Sequence, residues 1–167
     1  MLYGGNAQED LSSTQSRKHS LICGACKLPE IRVLVVDDHA TIRRSICSLL
    51  SHEPTLDVIC QTADGEQGVK KADELQPDLV ILDIGLPGIS GIEAARQIQK
   101  VSPKSQIIFL SQHDSVHMAI AALKAGGNGY VTKADAGLEL MKAIRTVLKG
   151  TVFVSQRIVN QGWIPEA

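Results

Sequence analysis

The stretch DLVILDIGLPGISGIE, residues 78–93, decides the fold. Leu79 to Leu82 is an apolar run without alternation, which suits a strand buried on both faces, as in a parallel sheet covered by helices. The run stops at Asp83. Pro87 and Gly88 then supply a turn, and Ser90 with Glu93 has the spacing of a capping box that opens a helix. Three further runs share the pattern: Val33 to Val36 before Asp37 and Asp38, Ile107 to Leu110 before Ser111, and Gly129 to Thr132 before Lys133. Each ends on a polar residue at a strand carboxyl end, the edge at which open α/β sheets bind ligands.

Outward from these runs, strand-like segments at 31–36, 56–61, 79–82, 106–110 and 128–132 alternate with helical ones at 40–51, 65–75, 91–100, 115–125 and 136–149. Five βα units predict an α/β fold with a doubly wound parallel sheet. In the last helix Leu140, Met141, Ile144, Val147 and Leu148 recur at helical spacing and should face the sheet. Asp135 is placed to cap that helix, and Arg145, Lys149 and Gly150 suit its end. Residues 1–29, rich in Ser, Gly and Gln, read as a mobile N-terminal tail. The folded domain is expected over 30–150, followed by a C-terminal linker or tail over 151–167 that is too short for a second domain.

Composition narrows the function classes. With 167 residues, 44% of them hydrophobic, one well-cored domain is expected. A net charge of −1 with mixed signs lacks the basic footprint that neutralises phosphates, so direct nucleic-acid binding by this chain is not expected. No apolar stretch approaches the roughly 20 residues of a membrane span, and the reading is a cytoplasmic protein without membrane contact. Cys47 and Cys60 read as small buried hydrophobes. Cys23 and Cys26 have the spacing of half a zinc site, to which His19 could add a third ligand, but a closed site needs four.

The convergent polar residues carry the chemistry. With the first and third strands adjacent, about 4.8 Å apart, Asp37, Asp38 and Asp83 would repel one another unless a positive charge sits among them. Oxygen-only ligands favour a hard divalent cation such as Mg²⁺, held by one or two carboxylates, with waters and phosphate oxygens completing its octahedron. Lys133 lies roughly two strand spacings, about 10 Å, from Asp83, a gap that only a long side chain bridges, and it suits phosphate oxygens. Ser111 offers a hydroxyl to the same oxygens. A carboxylate can attack phosphorus to give an acyl phosphate. Asp83 is central to the set and is the expected phosphoacceptor, with Asp37 and Asp38 at the metal and the Gly85 carbonyl as a further oxygen ligand.

IRVLVVDDH (31–39), the stretch at 78–93, IIFLSQHD (107–114) and LKAGGNGYVTKAD (123–135) together resemble the receiver domain of bacterial two-component response regulators, most closely the NarL/FixJ (LuxR-type) branch. The resemblance covers about residues 30–155. It implies a flavodoxin-like (βα)5 fold with strand order 2-1-3-4-5, and phosphorylation of Asp83 by a sensor histidine kinase with Mg²⁺. It further implies Asp37 and Asp38 as acidic metal-site residues, Ser111 as switch hydroxyl, Lys133 as phosphate-binding lysine and Tyr130 as the aromatic switch that turns inward. In the resembled branch a helix-turn-helix domain controls transcription, and no recognition helix is found in this sequence.

Some positions depart from the pattern. Gln112 is larger than the small residue many receivers carry after the switch hydroxyl, and Gly85 leaves one flank of Asp83 open. Ala134 follows the lysine where many receivers have a cis proline, so a trans bond is expected. The apolar fourth helix, with Ala119, Ala121, Ala122, Leu123 and Ala125, suggests that a homodimer can form. The alternative is an enzyme, a Mg²⁺-dependent aspartyl-phosphate phosphatase or phosphotransferase. Haloacid-dehalogenase-like members of that class want a second Asp where this chain has Gly85. A flavin-binding module would need a loop rich in Ser, Thr and Gly where Asp37, Asp38 and His39 stand.

Overall fold

Alternation along each strand sends successive side chains to opposite faces of the sheet, and both faces are covered. Val33, Val35, Leu79, Ile81, Ile108, Leu110 and Val131 point into one core layer, and Leu34, Val36, Val80, Leu82, Ile107, Phe109 and Tyr130 into the other. Uninterrupted apolar runs result, and each fully buried Val, Leu or Ile contributes about 1.5–3 kcal/mol. The structure, a computed structural model, describes residues 30–164. The tail expected over 1–29, with His19, Cys23 and Cys26, lies outside the described residues.

The elements run β1 (Ile31–Val36), α1 (Ala40–Leu50), β2 (Leu56–Thr62), α2 (Gly65–Leu75), β3 (Leu79–Asp83), α3 (Gly91–Val101), β4 (Gln106–Ser111), α4 (Val116–Lys124), β5 (Gly129–Thr132), α5 (Ala136–Val147), β6 (Phe153–Val154) and α6 (Gln156–Val159). All strand pairs are parallel, in the order β2-β1-β3-β4-β5-β6. The flavodoxin-like order 2-1-3-4-5 is therefore present, with a sixth strand added beyond β5. Helices α1 and α5 cover one face through Ile46, Leu50, Leu140, Ala143, Ile144 and Val147. Helices α2, α3, α4 and α6 cover the other, with Ala72, Ala94, Ala95, Ile98, Ala119, Ala122 and Ile158 in its core.

Local details adjust the expectations. Ser90 Oγ accepts from the Glu93 amide at 3.3 Å, as a cap should, but the Glu93 carboxylate engages Gln97 (3.1 Å) and Arg96 (3.4 Å). Asp135 stands at the N-cap of α5 without a side-chain cap bond. Its carboxylate is taken instead by the Thr132 hydroxyl and the Arg157 guanidinium. Leu148 lies past the end of α5 and is 37% exposed, so it does not join the face formed by Leu140, Ile144 and Val147. Ala119, Ala122 and Ala125 on or beside α4 are buried against the sheet, which explains the helix's apolar character within one chain. Cys47 and Cys60 are free and only partly buried. After Gly150 the chain does not leave the domain: β6 joins the sheet and Ile158 is fully buried.

Candidate functional site

The strand order sets β1, β3, β4 and β5 side by side, so their carboxyl ends form one edge. Asp37 follows β1, Asp83 ends β3, Ser111 ends β4 and Lys133 follows β5. Their burial is extreme for polar residues: Asp37 is 0%, Asp83 2% and Ser111 1% exposed. A buried charge survives only when paired. Lys133 provides that pairing, its Nζ crossing over the end of β4 to lie 2.8 Å from Asp37 Oδ2 and 2.9 Å from Asp83 Oδ2. Its position after β5 puts Lys133 within reach of Asp83 from the sequence alone. The equal contact with Asp37 is new.

Asp83 is held from both sides, because the Gly85 amide donates to Oδ1 at 3.0 Å. Burial raises the Asp83 pKa above the ordinary carboxylate value, Lys133 and the Gly85 amide oppose it, and Asp37 adds to it. Burial works against the Lys133 ammonium as well, but contacts with Asp37 and Asp83 outweigh it and raise its pKa. A Cβ at Gly85 would stand 3.8 and 3.9 Å from the two Asp83 oxygens, so the residue type there controls that flank.

On the metal side, Asp37, Asp38, His39 and Asp83 each offer one ligand atom within 4.8 Å of the others. Asp37 Oδ2 and Asp38 Oδ1 are buried without a directed hydrogen bond, in spite of Lys133 at 2.8 Å and His39 Nδ1 at 2.7 Å. Two buried carboxylates with a third beside them, balanced at Asp37 and Asp83 by the one Lys133 ammonium, match a hard cation that takes oxygen ligands, so the residues fit Mg²⁺. His39 carries no site signature in the sequence. Its amide donates to Asp37 Oδ1 at 2.8 Å and so orients that carboxylate, while Arg43 of α1 donates to the Asp37 main-chain carbonyl at 2.5 Å.

On the far side, the Ser111 hydroxyl accepts from the His113 amide at 3.0 Å, inside its own loop. The Tyr130 hydroxyl donates to the His113 carbonyl at 2.8 Å. Tyr130 is fully buried, so its ring is already turned inward rather than waiting outside. Burial raises its phenol pKa, with the Ser111 hydroxyl opposing. The bond after Lys133 is trans, and there is no cis peptide among the described residues.

Comparison with known proteins agrees with this geometry. The family described as response regulator receiver domain matches residues 33–145. The chain is 38% identical over 131 residues to the response regulator GacA of Pseudomonas viridiflava, covering 78% of this chain and 61% of that protein. It is 31% identical over 126 residues to the nitrate/nitrite response regulator protein NarL of Escherichia coli (strain K12), covering 75% and 58%. It thus spans about three-fifths of the length of these curated relatives. A LuxR-family two-component response regulator from Aurantimonas sp. SI85-9A1 superposes with a TM-score of 0.75 at 34% identity, covering 78% of this chain and 94% of that one. Among the described residues no helix is long and apolar enough to cross a membrane. With its parallel α/β sheet and its buried acidic pocket, the chain belongs to the receiver-domain family of two-component response regulators.

Proposed function

We propose that this chain is a cytoplasmic, phosphorylation-gated switch in which Asp83 accepts a phosphoryl group from a sensor histidine kinase. The observation that carries the reading is the placement of Asp83, 2% exposed at the end of β3, against the Lys133 ammonium at 2.9 Å and the Gly85 amide at 3.0 Å. An Asp83 oxygen attacks phosphorus as the P–N bond of the phosphohistidine breaks, and the departing imidazole takes up a proton. Asp37, Asp38, Asp83 and the Gly85 carbonyl would hold Mg²⁺, which when bound would neutralise charge on the phosphoryl oxygens. Lys133 exchanges part of its carboxylate contact for phosphoryl oxygens. Burial makes these charge contacts stronger than in water.

Ser111 and Tyr130 are the switch residues in this reading. When the Ser111 hydroxyl turns to the phosphoryl group it releases the His113 amide, and the same loop holds the Tyr130 hydroxyl. The population then shifts toward a rearranged β4–α4 loop. Similarity to the transcriptional activator protein ExaE of Pseudomonas putida, 33% identical over 129 residues, supports transcription control as the output of the whole protein. Phosphorylation-dependent homodimerisation belongs to the same reading, and sedimentation with and without beryllofluoride tests it.

The competing reading as a phosphatase or phosphotransferase lacks its second acid, since Gly85 offers no side chain beside Asp83. Intact-mass measurement after treatment with acetyl phosphate and Mg²⁺ separates the two. A single phosphoryl adduct, lost in Asp83→Asn, is expected. An adduct that survives Asp83→Asn, or sustained turnover of a phosphate ester, overturns the assignment.

A further inference from the structure

The segment after Gly150 is built into the sheet edge beside the phosphoryl site. β6 pairs with β5 as far as Tyr130 and Val154. Where β6 turns away, the Ser155 amide donates to the Tyr130 carbonyl at 2.9 Å and Ser155 Oγ accepts from the Thr132 amide at 3.0 Å. Ser155 is fully buried. Its hydroxyl therefore stands in for the strand carbonyl that β6 no longer offers to Thr132, the residue before Lys133. A buried amide without such an acceptor is unfavourable.

The same turn is held a second time. The Thr132 hydroxyl donates to Asp135 Oδ2 at 2.7 Å, and Arg157 grips that carboxylate at two points, Nε to Oδ2 at 2.9 Å and a terminal nitrogen to Oδ1 at 3.1 Å. Further along, Ile158 is fully buried in the layer that contains α4, and Trp163 packs partly buried against it. The turn that carries Lys133 is thus fastened from outside by residues on the C-terminal segment.

We propose that Ser155 and Arg157 are positioning residues for Lys133, and that docking of segment 153–164 and phosphoryl binding at Asp83 favour one another. The inference rests on the proposed roles of Asp83 and Lys133. Lys133 Nζ already stands 2.9 Å from the Asp83 carboxylate, so a group arriving on Asp83 meets a lysine held in place. Preorganised charge of this kind loses effect when its support relaxes. Linkage then requires the converse, that occupancy at Asp83 tightens the docked segment.

Trp163 is the only tryptophan in the sequence, so acrylamide quenching reads docking of the segment in the full chain. Fluorine NMR of beryllofluoride with Mg²⁺ reads the Asp83 site separately. In the wild type a bound fluoride signal that Asp83→Asn abolishes is expected, and Trp163 quenching should fall at saturation. Arg157→Ala and Ser155→Ala should each weaken beryllofluoride by about fivefold or more and raise quenching, with Arg157→Lys, which keeps the charge but not the two-point grip, recovering part of the affinity. Arg157 lies at the surface, so its variants stay interpretable if Ser155→Ala does not fold. A bound signal with unchanged quenching and unchanged affinity in Arg157→Ala overturns the coupling and leaves the Asp83 reading intact. Absence of any Asp83-dependent signal removes both.

Discussion

Gly91 and Asp83 approach so closely that a Cβ on Gly91 would lie 1.9 Å from the Asp83 carbonyl oxygen. Helix α3 therefore begins flush against the last residue of β3, and the intervening loop is folded back over the strand end. The Gly91 amide donates to the Ile84 carbonyl at 3.0 Å and closes that loop.

Replacement of Gly91 should therefore disturb Asp83 directly. Gly91→Ala cannot be relieved by a side-chain rotation, because the obstacle is backbone, and overpacking of this kind costs about 1–3 kcal/mol or more. Urea unfolding should show that loss. Gly137→Ala, where a Cβ meets nothing within 4 Å, is the control and should leave stability unchanged or slightly higher.

Lys133 is the only described cation in contact with both buried carboxylates, so its removal leaves two acids facing each other. Lys133→Met should lower stability at neutral pH by about 3 kcal/mol in Mg²⁺-free buffer, the range seen when one partner of a buried pair is deleted. Added Mg²⁺ should restore part of the loss, because a cation that binds only the folded state stabilises it. Unchanged stability of Lys133→Met on addition of Mg²⁺ would argue against metal binding by Asp37, Asp38 and Asp83.

The Arg157 guanidinium first, and then the Thr132 hydroxyl, hold the Asp135 carboxyl at about 2, below its ordinary 3.8. A carboxyl whose pKa is lowered by folding contributes stability fully above the unfolded value and loses it as the pH falls toward the folded one. Trp163 emission should accordingly show an acid step between about pH 4 and pH 2. Asp135→Asn should remove that step, and its persistence would show that another group controls the segment.

Tyr130→Phe deletes one partly buried hydrogen bond, from the phenol to the His113 carbonyl, and leaves the ring packing in place. A loss of about 0.5–1.5 kcal/mol is expected in the unphosphorylated protein. Beryllofluoride should then produce a smaller change in the amide resonances of residues 111–115. A full-sized change would exclude the hydroxyl from the switch.

Much of this was legible in the residues themselves. Runs such as Leu79 to Leu82 suit a strand buried on both faces, and four such runs ending at Asp37, Asp83, Ser111 and Lys133 point to one shared sheet edge. Less legible was whatever depended on side-chain competition. Asp135 has the right position for a cap, but Arg157 and Thr132 offer its carboxylate stronger partners than a helix amide. His39 follows two acids in sequence, yet only the backbone turn at the end of β1 brings its ring to Asp38. The two residues of β6 are too few to show periodicity, and their role comes from pairing with β5.

Every step proposed for this switch depends on Asp83 as the phosphoacceptor. The most direct measurement treats the full chain with acetyl phosphate and Mg²⁺, reduces the acyl phosphate with borohydride and maps the trapped residue by tandem mass spectrometry. Modification is expected at Asp83 alone, dependent on Mg²⁺ and absent from Asp83→Asn. Modification at Asp37 or Asp38 in the wild type, or an undiminished adduct in Asp83→Asn, would contradict it.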